Sequence, residues 1–118
     1  MSHPWKDLLI WQRAHELVLK VYMITKSFPD EERFCLTQQI RRSVISVAAN
    51  IVEGKSKKTN KEFCAYLYNS RGSLEETRYH LLIAKDLGYI RQSDYEIAEK
   101  LMTEVSYLLN KLIKSASK

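Results

Sequence analysis

Glycine and proline are scarce, with three and two respectively in 118 residues, and both prolines, Pro4 and Pro29, stand where a helix can begin or end. That scarcity argues against the repeated tight turns of a sandwich or barrel. No apolar run is long enough to span a bilayer, and no charged-then-apolar leader pattern opens the sequence, so no membrane association is expected. The two cysteines, Cys35 and Cys64, form no disulfide framework, and neither has another soft ligand within a few residues, so a zinc site is not expected. A buried cysteine of this kind is ordinarily a small apolar residue. These absences predict a cytoplasmic, all-α chain forming one domain over residues 1–118, with an N-terminal arm at 1–6, a C-terminal tail at 114–118, no metal and no cofactor.

Helical periodicity supplies the rest of the fold. Ile10, Ala14, Leu17, Val18, Val21, Ile24 and Phe28 trace one stripe that predicts a first helix from about Asp7 to Ser27, stopped by Pro29. After the charged connector Pro29–Glu32, Thr37 is a candidate N-cap for a second helix, and Gly54 is the expected left-handed residue just past its end. Thr59-Asn60-Lys61-Glu62 matches a capping box and opens a third helix. Its inward stripe runs Phe63, Tyr66, Leu67, Ser70, Leu74, Thr77, Leu81, Ala84. Gly72 in its middle costs about 1 kcal/mol of helix propensity against Ala, which predicts a packing reason near Ser70, Gly72 and Ser73. Gly88 closes this helix, and Ser93-Asp94-Tyr95-Glu96 is a second capping box opening a fourth. Four helices with short loops predict an antiparallel up-down-up-down bundle.

The second helix carries two ordered stripes. Leu36, Ile40, Val44, Val47, Ala48 and Ile51 keep the spacing of a buried face, while Gln39, Arg42, Ser43, Ser46, Asn50 and Glu53 keep the same spacing on another. Ile45, Ala48 and Val52 widen the apolar arc to about half the circumference, beyond the ~100° of one-sided packing. Helix four is similarly broad, with Ile97, Leu101, Val105, Leu108 and Leu112 beside Ala98, Met102, Leu109 and Ile113. Surplus apolar surface of this sort predicts a homo-oligomer, and Gln39, Arg42, Ser46, Asn50 and Glu53 are the candidate polar stripe for helix or subunit contacts.

Catalytic signatures are few. His3, His15 and His80 are far apart in sequence, no glycine-rich phosphate loop or nucleophile motif is present, and no Arg precedes His15 or His80 at the four-to-six-residue spacing of some helical-bundle ribonucleases. Arg42 and Glu53 lie about 16 Å apart along one helix and cannot pair within it, so helix or subunit contacts suit them better than acid–base work. No enzymatic activity is expected.

Charge is more informative. Residues 55–92 hold eight basic and four acidic groups of a chain whose net charge is +5, and Lys55, Lys57, Lys58 and Lys61 fall in one acid-free linker. Closely spaced lysines gain sequence-independent affinity for phosphates by releasing counterions. Arg71 and Arg78, two turns apart on helix three, have Tyr68 and Tyr79 on the adjacent stripe, where bases can stack; Glu75 between them supports a competing reading as an ion-pair ladder. For the lysines the competing reading is a solvated loop. An oligomer repeats the patch and multiplies its effect.

Asp7-Leu8 with Ile10-Trp11-Gln12-Arg13-Ala14, Phe28-Pro29, Leu36-Thr37-Gln38-Gln39-Ile40-Arg41-Arg42, Ser46 with Asn50-Ile51-Val52-Glu53-Gly54, Gly72-Ser73-Leu74-Glu75-Glu76 and Leu87-Gly88-Tyr89 together resemble the four-helix-bundle proteins encoded in intervening sequences of bacterial 23S ribosomal RNA genes. The resemblance spans residues 7 to about 90. It implies an antiparallel four-helix bundle, a ring-like homopentamer and no known enzymatic activity; proteins of this type have been labelled ribosomal proteins, and structurally related members serve as accessory factors to reverse transcriptases in diversity-generating retroelements. Two positions depart from the family pattern: Ala48 stands where Pro is frequent and Cys35 where Gly is frequent, and Ala48 favours a straighter helix. The expected function is non-enzymatic binding of RNA, ribosomal RNA or its intervening-sequence transcript, through Lys55, Lys57, Lys58 and Lys61 aided by Arg41, Arg71 and Arg78. The alternative is a scaffold for a protein partner such as a nucleic-acid enzyme.

Overall fold

A computed structural model describes residues 3–118; the first two residues of the expected arm lie outside the described residues. Among the described residues there are four α-helices, α1 (Leu9–Thr25), α2 (Leu36–Lys55), α3 (Asn60–Asp86) and α4 (Gln92–Ala116), with a 3-10 turn at Asp30–Glu32. Each helix packs on its two neighbours in a closed ring, α1–α2, α2–α3, α3–α4 and α4–α1. The directions alternate: Ser43 and Ser46 of α2 meet Thr77 and Ser73 of α3 in reverse order, Arg71 and Arg78 of α3 reach Asn110 and Glu99 of α4, and Arg13 and Lys20 of α1 reach Glu104 and Asp94 of α4. The expected antiparallel bundle is therefore the observed one, 43 Å long and 25 by 22 Å across.

The core follows the apolar stripes. Leu17, Val21, Ile40, Val44, Val47, Ile51, Leu67, Leu74, Leu81, Met102, Val105 and Leu109 are fully buried. At the bottom of α3, Gly88 takes φ +81°, and the Tyr89 N–H reaches the Ala84 carbonyl while the Gly88 N–H reaches Lys85, the paired bonds of a left-handed helix stop. The Thr59 box is present too, since the Glu62 N–H donates to Thr59 Oγ1 at 3.1 Å and the Thr59 hydroxyl donates to the Glu62 carboxylate at 3.0 Å.

Three expected helix ends are corrected. Thr37 is no N-cap: α2 starts at Leu36 after Cys35, because the Cys35 N–H bonds to Glu32 carbonyl and the Glu32 carboxylate accepts from Leu36 N–H, so the 3-10 turn winds directly into the helix. Ser93 is likewise inside α4, which begins at Gln92 behind an Arg91 without a side-chain cap. Gly54 does not terminate α2 in the left-handed region; it is buried and helical, and α2 continues through Lys55. A Cβ on Gly54 would sit 2.6 Å from Tyr66 Cβ and 3.0 Å from Phe63 Cδ1. Its missing side chain lets α3 approach.

The α2–α3 contact is the most intimate of the bundle, and hydroxyls line it. Thr77 Oγ1 lies 2.8 Å from Ser43 Oγ, Ser46 and Ser73 hydroxyls are 2.8 Å apart, and Ser70 Oγ donates to the Val47 carbonyl at 2.7 Å. Asn50 Nδ2 joins by donating to the Ser46 carbonyl at 2.8 Å. Small side chains allow close axes, and each buried hydroxyl is paired, which a buried polar group requires. Ser70 and Ser73 thus serve the close approach expected near them. Gly72 does not: a Cβ there meets nothing within 4 Å. Gly72→Ala is accordingly expected to stabilise the protein by up to about 1 kcal/mol through helix propensity, read as a higher thermal midpoint; a lower midpoint would show that something outside the chain fills that space.

Candidate nucleic-acid interface

Up-down-up-down topology brings three separate stretches to one end of the bundle: the start of α1, the α2–α3 loop and the end of α4. A groove lined by Asn60, Lys61, Cys64, Tyr68, Ser117 and Lys118 joins the second to the third, and another lined by Leu8, Ile10, Leu108, Lys111 and Leu112 joins the first to the third. Lys55, Lys57, Lys58 and Lys61 are all exposed here. Segments 3–8, 53–62 and 111–118 contain eight lysines against Asp7, Glu53 and Glu62. The remaining eleven basic and eleven acidic residues cancel, so the chain's net +5 resides at this end.

Aromatic rings underlie the lysines. Lys55 Nζ stands 5.6 Å from the Phe63 ring centroid and Lys57 Nζ 5.3 Å from that of Tyr66, the same two side chains that close on Gly54. Cation–π contact of this kind is worth about 0.5–1 kcal/mol at exposed sites and holds the ammonium groups without neutralising them. Among the described residues no carboxylate pairs with any of the four. On α1 a second aromatic series extends from the same end: His3 stacks on Trp5, Trp5 meets Trp11 edge-on at 4.8 Å, and Trp11 stacks on His15 at 5.0 Å. The expected loose arm is therefore pinned by its tryptophan.

The other sequence-predicted residues separate. Arg41 lies fourteen residues from Lys55 along α2, about 21 Å away by helical rise, where its Nε–H donates to Thr25 Oγ1 at 2.9 Å and its guanidinium covers Tyr22. Arg78 is half-buried and bridged to Glu99 and Glu75, so its charge is spent within the α3–α4 groove. Arg71 lies over Tyr68 at 4.7 Å and donates to Asn110 Oδ1 at 3.0 Å; it remains charged and is the arginine nearest the lysine end. The polar stripe on α2 divides as well. Ser46 and Asn50 belong to the α3 seam, whereas Gln39, Arg42 and Glu53 are exposed. Sequence reasoning missed Lys111, Lys114 and Lys118, because α4 is electrically balanced along its length and only the topology shows which end carries its lysines.

Residues 6–111 match the family described as 23S rRNA-intervening sequence protein. The chain belongs to that family. A crystal structure of a protein of unknown function from the S23 ribosomal protein family of Bacteroides thetaiotaomicron VPI-5482 superposes with a TM-score of 0.83 at 27% sequence identity, covering 90% of this chain and 99% of that one. No curated protein matches the chain. In this 23S rRNA-intervening sequence protein no described helix is long and apolar enough to cross a membrane, and no group of three or more His, Cys, Asp and Glu among the described residues is placed to hold a metal ion.

Proposed function

We propose that this protein is a non-enzymatic, homo-oligomeric RNA-binding bundle that engages 23S rRNA or its intervening-sequence transcript in the cytoplasm through the lysine end. One observation carries the reading: the whole of the net charge is gathered at the end where three chain segments meet. Family membership supplies the class of RNA. Lysines held over aromatic rings suit a flexible phosphate backbone, which they bind by counterion release without reading bases. Lys111, Lys114 and Lys118 join Lys55, Lys57, Lys58 and Lys61 in that surface, Arg71 lies at its margin, and Arg41 and Arg78 drop out.

Charge substitution tests that membership. Lys111→Glu with Lys114→Glu is expected to weaken RNA binding at least 10-fold at low salt, since each lost phosphate contact removes roughly one released counterion, while Arg78→Gln leaves affinity unchanged. Equal effects from both variants in a filter-binding assay would contradict the assignment of the surface.

Oligomerisation, as a pentamer by family resemblance, is supported by exposed apolar side chains: Leu19 and Met23 on α1 are 54% and 64% exposed, Ile45 on α2 43%, and Ile97 on α4 47%. Light scattering is expected to give several times the 13.9 kDa chain mass; a monomer at micromolar concentration would remove this part of the proposal. The same exposed groups favour a second reading, a scaffold for a nucleic-acid enzyme, whose mark is a single partner that stays bound at high salt.

A further inference from the structure

At the opposite end of the bundle a cleft opens between the end of α1, the 3-10 turn and the first turn of α2. Its lining holds Lys26, Arg33 and Arg41 against one carboxylate, Asp30, together with Thr25 and Thr37. Among the described residues none of those three cations forms an ion pair. The start of α2 is also electrically unfinished. It has no side-chain cap, and the backbone N–H groups of Thr37 and Gln38 have no acceptor, the first intrahelical bond being Gln39 N–H to Cys35 carbonyl. Thr37 itself is 8% exposed, and its hydroxyl has no hydrogen-bond partner.

Each of these features costs free energy alone, and one ligand relieves them all. We propose that this cleft binds a phosphate group. The positive end of the helix dipole and its unused N–H donors favour an anion. Thr25 accepts from Arg41 Nε–H while its own hydroxyl lies 2.8 Å from the Val21 carbonyl, so the guanidinium is fixed while its Nη groups remain available for the two-pronged contact that suits phosphate oxygens. The Thr37 hydroxyl then gains the partner that a buried polar group needs. Asp30 offsets part of the attraction, leaving two net positive charges along the lining. Arg41, removed from the lysine surface by the fold, acquires a role here that does not depend on what the lysine end binds.

Inorganic phosphate is the direct probe. Titrated into the uniformly ¹⁵N-labelled protein at ionic strength held constant with chloride, it is expected to give saturable shifts at the Thr37 and Gln38 amides. Thr37→Val, which keeps the shape and removes only the hydroxyl, should raise the phosphate dissociation constant about 3- to 10-fold, the worth of one hydrogen bond, and Arg41→Gln by 10-fold or more. Thr37→Val removes an unpaired buried hydroxyl, so its thermal midpoint without phosphate should equal or exceed that of the unaltered protein; this separates lost binding from lost folding. No saturable shift at Thr37 and Gln38, saturation only at residues 55–61, or unaltered affinity in both variants would overturn the proposal. With the site established, a 5′-phosphorylated oligoribonucleotide that shifts the same amides where its 5′-hydroxyl counterpart does not identifies an RNA terminus as the source, and shifts from inorganic phosphate alone identify the free anion.

Discussion

Gly54→Val is expected to lower stability by about 3 kcal/mol or more, the upper end of the overpacking range, and with it the thermal midpoint by on the order of 10 °C. A Cβ at this position would stand 2.6 Å from Tyr66 Cβ. That carbon is bonded to backbone and cannot swing aside by rotamer change, so α2 and α3 must move apart. Separation would also stretch the serine and threonine bonds of the seam and withdraw Phe63 and Tyr66 from beneath Lys55 and Lys57. The contrast within one chain is sharp, because Gly72→Ala, equally helical but facing open space, should shift the midpoint upward. Circular dichroism melts of the two variants decide the matter; a Gly54→Val midpoint within about 2 °C of the unaltered protein, well under 1 kcal/mol, would contradict the close-approach account.

Reversing Lys55, Lys57, Lys58 and Lys61 to Glu changes the net charge by eight, from +5 to −3. RNA affinity at low salt should fall by on the order of 100-fold or more, and the slope of log K against log salt should lose roughly three units if each lysine neutralises one phosphate of a single strand. All four side chains are exposed and unpaired by carboxylates among the described residues, so stability should stay within about 0.5 kcal/mol. That combination distinguishes loss of a surface from loss of the fold. Unchanged affinity at low salt would make the loop a solvated connector and leave the scaffold reading.

The bundle was legible because every helix shows a 3.6-residue apolar stripe, and the stripe residues of α1, α3 and α4 are the buried ones with few exceptions, Ile97 among them. Helix ends were legible where local chemistry is decisive, at Thr59 and Gly88. They were misread where tertiary structure intervened. Gly54 has the sequence look of a helix stop, yet its role is set by Tyr66, twelve residues onward. Thr37 has the look of a cap, yet the 3-10 turn starts the helix before it. The polar stripe of α2 was visible as a pattern without showing that Ser43, Ser46 and Asn50 answer α3 while Arg42 and Glu53 face outward. For the candidate interface, the acid-free linker identified its four lysines; Lys111, Lys114 and Lys118 required knowledge of which ends meet, and Arg41 and Arg78 required knowledge of their partners.

The central claim, that the lysine end binds RNA electrostatically, is tested most directly by fluorescence anisotropy of the unaltered protein against an intervening-sequence hairpin and an unrelated RNA of equal length, across several salt concentrations. The account predicts a linear fall of log K with log salt whose slope corresponds to several released counterions for both RNAs, with tighter binding to the hairpin marking family-specific recognition. No binding to either RNA at low salt would contradict it.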